Sequence, residues 1–258
     1  MTDFLAKLVE DARTRVRNGY YDVRQESPHN PISLTRALRT AERNPIIAEI
    51  KPVSPARGPL RPEIDPVRAA TRIVNGGAIA LSVLTEPNNF GGSLENLRKV
   101  RAQVHLPLLM KDIVVHERQI EAAEKTGADS VLLIEAIFSK YPISSLARMI
   151  RSAHESHLEV VVEVHCEDEL DRAMNTDADI LGLNNRDLTT LETNLDTTIR
   201  LMEKARGRTE KVLISESGFE SAEDIRRIKP SKVNGYLIGS SIMLAEDFES
   251  KVREFVLA

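Results

Sequence analysis

Short apolar runs recur along this chain, and seven of them end beside a polar or charged residue. From residue 46 onward these strand-like runs alternate with helix-like segments, as they do in parallel βαβ units. A barrel of parallel strands delivers the last residue of every strand to one shared catalytic face. The pattern predicts an α/β chain folded as a (β/α)8 TIM barrel. The strand-end positions are Glu49/Lys51, Ser82, Lys111, Glu163, Asn184, Glu216/Ser217 and Gly239/Ser240.

Eight runs are nearly continuous in apolar residues, as strands covered on both faces are. Helices are expected between them, several beginning at a capping residue such as Ser221. We interpret residues 1–258 as one barrel domain in which residues 1–45 form an N-terminal helical extension that caps one mouth. The predicted strands are 46–50, 79–84, 107–111, 130–134, 159–164, 179–183, 211–216 and 235–239, and the predicted helices include 2–17, 33–41, 66–75, 117–128, 143–156, 168–176 and 221–228.

Composition narrows the class of protein. The 258 residues are 41% hydrophobic and 29% charged with a net charge of −4, which is typical of an ordinary soluble protein and argues against a nucleic-acid partner. Cys166 is the only cysteine, which favours a reducing compartment. Neither a signal peptide nor a membrane span of ~20 apolar residues is evident. We expect a cytoplasmic monomer or weak homo-oligomer without nucleic-acid or membrane partners.

Charged side chains stand at the predicted catalytic face. Alternation along the first strand puts Glu49 and Lys51 on the same side. Burial of Glu163 within VVVEV is expected to raise its pKa toward the range of a general acid or base. Lys111 could donate a proton or, with a lowered pKa, form a Schiff base. Each charge alone is as readily a structural salt bridge, but two lysines and three glutamates at one depth predict proton transfer on an anionic substrate.

Glycine and serine follow the last two predicted strands. Ser217-Gly218 and Gly239-Ser240 offer backbone N–H groups where barrel enzymes often bind phosphate. Paired turns at these two strands favour phosphate binding over plain tight turns. The segment 51–62 after the first strand contains four prolines and one glycine, and its length predicts a semi-rigid active-site loop.

Other motifs carry less weight. His154 and His157 lie on a polar helix segment without a third ligand nearby, which indicates exposed histidines rather than a metal site. His165 and Cys166 are adjacent and point opposite ways along a strand, which argues against a Cys–His nucleophile. Neither GxGxxG nor GxxxxGK[ST] occurs, so dinucleotide and P-loop sites lack support.

Eight longer segments follow one another from about residue 30 to the carboxyl terminus: IIAEIKPVSP, LSVLTEPNNFGGS, PLLMKDIVV, GADSVLLI, VVVEVH, LGLNNRDLTTLE, ISESGF and LIGSSIM. Their order and spacing resemble the indole-3-glycerol-phosphate synthase family, (β/α)8 enzymes of tryptophan biosynthesis. The resemblance implies a lyase without metal or cofactor. Such an enzyme closes the indole ring of 1-(2-carboxyphenylamino)-1-deoxyribulose 5-phosphate and releases CO₂ and water.

The resemblance also implies roles for single residues. Lys111 matches the general acid that protonates the ketone oxygen, and Glu163 matches the general base of the later dehydration. Lys51 matches a catalytic lysine that holds the anionic groups of the substrate and, in some mechanisms for the family, also donates a proton. Glu49 and Asn184 match residues that orient Lys111 and the substrate hydroxyls, and Ser217 matches a catalytic-site residue on the binding side. Ser54 matches a residue beside the anthranilate carboxylate, Ser82 one in the pocket wall and Phe90 one that packs on the aromatic ring. The matches at the phosphate are Gly218, Gly239 and Ser240.

Two positions depart from the family pattern. Many relatives have serine in SPS where this chain has Ala56, and phenylalanine in KDF where it has Ile113, so substrate affinity is expected to differ. Two alternatives stay open, a Schiff-base aldolase using Lys111 and a non-catalytic barrel that only binds a phosphorylated ligand. Because the chain ends at residue 258, a monofunctional enzyme is expected.

Overall fold

Eight parallel strands form a closed barrel in the order of the chain in this computed structural model, which describes residues 4–24, 26–27 and 30–258. The first strand pairs with both the second and the eighth, so the sheet has no free edge. The predicted fold class is confirmed, and each predicted strand lies within a residue of its observed bounds. The strands are β1 (Ile46–Ile50), β2 (Ala80–Leu84), β3 (Leu108–Lys111), β4 (Ser130–Ile134), β5 (Glu159–Val164), β6 (Ile180–Asn184), β7 (Val212–Glu216) and β8 (Gly235–Ile238).

Helices alternate with the strands and cover the outside of the barrel. Local caps start several of them: Asp65 accepts the N–H groups of Val67 and Arg68 at the start of the helix after β1. The helices are α1 (Phe4–Arg17), α2 (Leu34–Thr40), α3 (Pro66–Asn75), α4 (Pro87–Phe90), α5 (Leu94–Arg101), α6 (Glu117–Thr126), α7 (Glu135–Lys140), α8 (Leu146–Glu155), α9 (Glu167–Met174), α10 (Asp196–Ala205), α11 (Ala222–Ile228), α12 (Ser240–Leu244) and α13 (Phe248–Val256). Every predicted helix is present, while residues 2 and 3 of the first lie outside the described residues. Within the described ranges no helix is both long and apolar enough to cross a membrane.

Strand side chains divide between two cores because successive residues point to opposite faces. Outward residues such as Ile46 and Val162 pack beneath the helices. Inward residues such as Ile47 and Val161 fill the barrel. The interior is therefore a packed core rather than a pore.

The N-terminal extension was expected to cap one mouth, but its two helices lie at opposite ends of the barrel. α1 places Phe4 and Leu8 on the wall of a cavity at the carboxyl ends of the strands. α2 lies at the amino ends, where Ser33 Oγ and the Thr35 N–H both bind the carboxylate of Glu159, the first residue of β5. A barrel has two apolar ends, and each helix buries its apolar face against one of them.

Candidate active site

A cavity that opens to solvent lies at the carboxyl ends of the strands. Parallel strands bring residues far apart in sequence to this one face. The departures Ala56 and Ile113 also lie on its wall. With the exception of Ser82, all of the site residues expected from the sequence line the cavity: Glu49, Lys51, Ser54, Phe90, Lys111, Glu163, Asn184, Ser217, Gly218, Gly239 and Ser240.

Ser82 was expected in the pocket wall and is not among the residues that line it. It lies in the middle of β2, level with Glu49 of β1, and is fully buried. Leu84, two residues further along the same face, reaches the cavity instead. The apolar run does not end at Ser82, because the strand continues through Leu84.

Lys111 stands between two carboxylates from other strands. Its Nζ lies 3.0 Å from Oε2 of Glu163 and 3.7 Å from Oε2 of Glu216. Burial alone would lower the pKa of the Lys111 ammonium, but the carboxylates of Glu163, Glu216 and Glu49 outweigh it and hold the pKa well above its usual range. Lys111 therefore carries a charged ammonium group.

Glu163 was expected to have a raised pKa, and the opposite holds. Burial by itself raises the pKa of the carboxyl, but Lys111, His165 and a hydrogen bond from Asn184 together lower it well below its usual range. The expectation failed because it considered burial within VVVEV without the cations that other elements bring to the same place. Glu163 is an ionised carboxylate.

Glu216 is the neutral member of the group. Burial, reinforced by the neighbouring carboxylates of Glu163 and Glu49 and opposed by Lys111, raises the pKa of Glu216 to about 8. Its Oε1 is buried against the backbone of β6, where a Cβ added to Gly182 would lie 2.0 Å from that atom. Glycine at position 182 is what gives the carboxyl its room. The sequence counted Glu216 among the three strand-end glutamates that predict proton transfer but gave it no role of its own.

Lys51 and Glu49 form a second ion pair across the site. The Nζ of Lys51 lies 2.5 Å from Oε1 of Glu49, and both side chains are mostly buried. The backbone after β8 passes close by, since a Cβ added to Gly239 would lie 2.5 Å from the same Glu49 oxygen. The pair is thus held between β1 and the turn expected to bind phosphate.

His165 extends the charged group toward the outside of the barrel. Its Nε2 lies 3.1 Å from Oε1 of Glu163, and its Nδ1 lies 3.1 Å from Oε2 of Glu169. The sequence set His165 aside as an unsuitable partner for Cys166, which is exposed. The missed signal was the two-residue spacing from Glu163, which puts both side chains on the same face.

The wall of the cavity contains a further cation that the sequence did not single out. Arg186, on the loop after β6, lines the cavity, and its guanidinium donates a hydrogen bond to the Leu191 carbonyl. Burial and the nearby guanidinium of Arg57 lower the pKa of Arg186. A negatively charged ligand would offset both the burial of the Arg186 charge and its repulsion by Arg57.

The turn after β7 has an unusual backbone. Ser217 has φ of 66° and Gly218 has φ of 90°, a region that residues with a Cβ seldom adopt. The Asn185 amide holds the turn by donating to the Ser217 carbonyl at 3.0 Å and to Ser215 Oγ at 3.1 Å. A strained serine beside a cavity is typical of functional sites.

A buried polar cluster holds α1 against the cavity. Arg15 lies 2.6 Å from Glu86, and its Nε donates to the hydroxyl of Tyr21. Tyr21 and Thr85 in turn donate to Asp112, the residue after Lys111. Glu86 also caps α4, the short helix that presents Phe90 to the cavity. The N-terminal extension therefore contacts the segments that carry two expected site residues.

The closed parallel barrel and the lysine–carboxylate groups at its carboxyl-end cavity define a (β/α)8 barrel enzyme site. A family model described as indole-3-glycerol phosphate synthase matches residues 4–255. The chain belongs to the indole-3-glycerol phosphate synthase family, so the family predicted from the sequence is confirmed.

Curated relatives carry the same family name. The chain is 37% identical to the indole-3-glycerol phosphate synthase of Carboxydothermus hydrogenoformans, over 99% of this chain and 100% of that protein. It is 40% identical to the enzyme of Desulforamulus reducens over 86% of this chain and 83% of that protein. For Methanocaldococcus jannaschii the identity is 42%, over 88% of this chain and 84% of that protein.

Two solved structures share the fold at low sequence identity. A thiamine phosphate pyrophosphorylase from Pyrococcus furiosus has a TM-score of 0.63 and 16% identity, covering 86% of this chain and 96% of that one. An N-acetylmannosamine-6-phosphate 2-epimerase from Clostridium perfringens has a TM-score of 0.62 and 13% identity, covering 83% and 93%. These likenesses concern the barrel architecture alone.

Proposed function

We propose that this protein is an indole-3-glycerol phosphate synthase of tryptophan biosynthesis. It converts 1-(2-carboxyphenylamino)-1-deoxyribulose 5-phosphate to indole-3-glycerol phosphate, a carboxy-lyase reaction that forms the indole ring and releases CO₂ and water. The observation that carries the proposal is the contact between Lys111 and Glu163 within the cavity of a chain from this family. A proton donor and a proton acceptor meet there, as ring closure followed by dehydration requires.

Lys111 acts as the general acid. It protonates the ketone oxygen while the aromatic ring carbon attacks the carbonyl. The surrounding carboxylates keep its ammonium charged before the reaction, because they raise its pKa. The same charge stabilises the negative oxygen that develops as the new carbon–carbon bond forms.

Glu163 acts as the general base of the dehydration. It starts as an ionised carboxylate whose low pKa depends in large part on the charge of Lys111. When Lys111 gives its proton to the substrate, that positive charge disappears and the pKa of Glu163 rises. The acid step thus prepares the base step, since Glu163 becomes the better proton acceptor only after Lys111 has acted.

The remaining cavity residues bind and orient the substrate. Lys51 and Arg186 supply positive charge for the anionic groups, and Glu49 and Asn184 orient Lys111 and the substrate hydroxyls. Phe90 packs on the aromatic ring. Ser54 lies beside the anthranilate carboxylate. Ser217 is a catalytic-site residue on the binding side of the cavity. The phosphate is held by Gly218, Gly239 and Ser240.

The two alternatives fit the charges less well. A Schiff-base lysine must lose its proton near neutral pH, whereas the carboxylates around Lys111 raise its pKa. A barrel that only binds ligand has no use for a buried proton donor paired with an acceptor. We further propose that residues 1–258 act as one domain and that the enzyme works in the cytoplasm without metal or cofactor, as a monomer or weak homo-oligomer.

Indole fluorescence tests the proposal directly. Purified, chelator-treated protein is incubated with 1-(2-carboxyphenylamino)-1-deoxyribulose 5-phosphate, and Glu163→Gln protein serves as the matched control. The native protein should give a rising signal without added metal or cofactor, and the variant a much slower one. Silence from folded native protein would contradict the proposed reaction.

A further inference from the structure

A series of three charged side chains, Glu163, His165 and Glu169, leads away from the cavity. Glu163 faces Lys111 with Oε2 and His165 with Oε1, and His165 faces Glu169 with its other ring nitrogen. All three side chains in the series are at most 12% exposed. Carboxylates at both ring nitrogens favour an imidazole that carries a proton on each.

The backbone fixes this arrangement. β5 ends at Val164, and α9 begins at Glu167 after Cys166, whose side chain makes no capping bond. Glu169 in the first turn of α9 instead reaches back, and its Oε2 accepts the backbone N–H of His165 at 2.7 Å. The same oxygen lies 3.1 Å from Nδ1 of the ring. Since Glu169 is anchored to the main chain of His165, it fixes the direction of the imidazole.

We propose that His165 is a positioning residue. Glu169 fixes the orientation of its imidazole, and the imidazole keeps the carboxylate of Glu163 in place and in its charged form. The inference rests on the proposed function, in which Glu163 is the general base. Each oxygen of Glu163 has its own cation. When Lys111 gives up its proton during the reaction, His165 remains as the cation that keeps Glu163 oriented toward the substrate.

The charges around His165 support this role. Burial alone would lower the pKa of His165, but Glu163 and Glu169 raise it to about 9. Asp187, after β6, is a further acid, and the charge of His165 contributes to lowering its pKa. Lys140, at the end of α7, is a cation that lowers the pKa of Glu169. Toward the cavity, Lys111, Asn184, Glu216 and Glu49 complete the charged and polar surroundings.

The first experiment measures His165 without using activity. Protein with isotope-labelled histidine is titrated by NMR, and the His165 resonance is assigned by its loss in His165→Gln. The ring should stay protonated past neutrality and titrate near pH 9, whereas an ordinary histidine titrates near ~6.5. A midpoint near the ordinary value would overturn the proposal.

The second experiment measures the pH dependence of kcat/KM and kcat. His165→Gln keeps an N–H group toward Glu163 but removes the positive charge. Loss of one close cation should raise the pH at which the acid limb of activity falls by about 1–3 units, with KM little changed. A merely structural role would lower activity evenly across the pH range.

Two variants of α9 complete the test. Glu169→Gln removes the carboxylate that supports the imidazolium, and it should shift the acid limb in the same direction. Asp168→Asn makes the same change of charge one residue earlier, at an exposed position, and should leave the profile unchanged. Equal profiles for His165→Gln and the native enzyme would overturn the proposal.

The Glu163→Gln variant distinguishes failure of the proposed function from failure of the proposed role of His165. If this variant is nearly inactive while His165→Gln has the native pH profile, the role of His165 is wrong and the proposed function stands. If Glu163→Gln keeps near-full activity, Glu163 is not the base, and the proposed mechanism and the role of His165 both fail.

Discussion

The Nζ of Lys111 lies 3.0 Å from Oε2 of Glu163, which joins β3 to β5 across the intervening β4. Both residues lie at the carboxyl ends of their strands, and 52 positions of sequence separate them. The contact exists only when β4 is paired on both sides. The two charged groups are therefore brought together by the pairing of three neighbouring strands.

Replacing Lys111 with alanine should lower kcat by about 10²- to 10⁴-fold, the usual range for loss of a general acid. KM should change far less, because a proton donor acts mainly in the transition state. Steady-state kinetics measure both constants. Lys99→Ala, on an exposed face of α5, is the matched control and should be unaffected. Near-full turnover in Lys111→Ala would remove this lysine from the mechanism.

Replacing Glu216 with glutamine should change how stability depends on pH. In the folded protein Glu216 keeps its proton to about pH 8, whereas its ordinary pKa is 4.5. Its contribution to stability is complete below 4.5 and is lost as the pH rises through 8. His165 acts in the same direction between 6.5 and about 9.

Urea denaturation at several pH values between these limits measures the effect. The free energy of unfolding of the native protein should fall more steeply with rising pH than that of Glu216→Gln, which cannot ionise. The difference between the two proteins isolates Glu216 from the other titrating groups. Parallel curves would mean that Glu216 is ionised in the folded state.

Replacing Gly182 with alanine should displace Glu216. The added Cβ would lie 2.0 Å from Oε1 and 3.0 Å from Cδ of that residue, so the carboxyl must leave its present position. Overpacking of this kind costs about 1–3 kcal/mol of stability, and activity should fall with it.

A double-mutant cycle checks the cause. In Gly182→Ala combined with Glu216→Ala the clash is absent, so the two changes should destabilise the protein less than the sum of their separate effects. Thermal or urea unfolding gives the three free energies. Additive effects would show that the alanine disturbs something other than Glu216.

Replacing Arg15 with methionine should leave Glu86 and Asp112 buried without their cation. Breaking a buried ion pair from one side costs about 3–5 kcal/mol, since the remaining charges cannot reach water. Arg17→Met on the same helix is the control, because that side chain is 63% exposed and surface changes are usually within about 0.5 kcal/mol. Equal unfolding free energies for the two variants would contradict a stabilising role for the cluster.

Several features of the fold could be predicted from local sequence. The eight strands are legible because buried parallel strands require continuous apolar runs, such as SVLLI at β4. Short helices such as α4 and α7 carry too few residues for a periodic signal, and the sequence did not indicate them. The sequence also could not predict that α1 and α2 lie at opposite ends of the barrel. The pattern of apolar residues in each helix shows only that one face must be buried, not against which end.

The sequence by itself determined the strands, the charged residues at their carboxyl ends and the family, because alternation and spacing along one segment carry that information. Only the tertiary structure decided which distant charges meet, namely Lys111 with both Glu163 and Glu216. It thereby decided that Glu163 is ionised and Glu216 protonated, the reverse of what burial within VVVEV indicated for Glu163. The reason is physical, because a pKa depends on the charges within a few ångströms, and in a closed barrel those charges come from strands far apart in the chain.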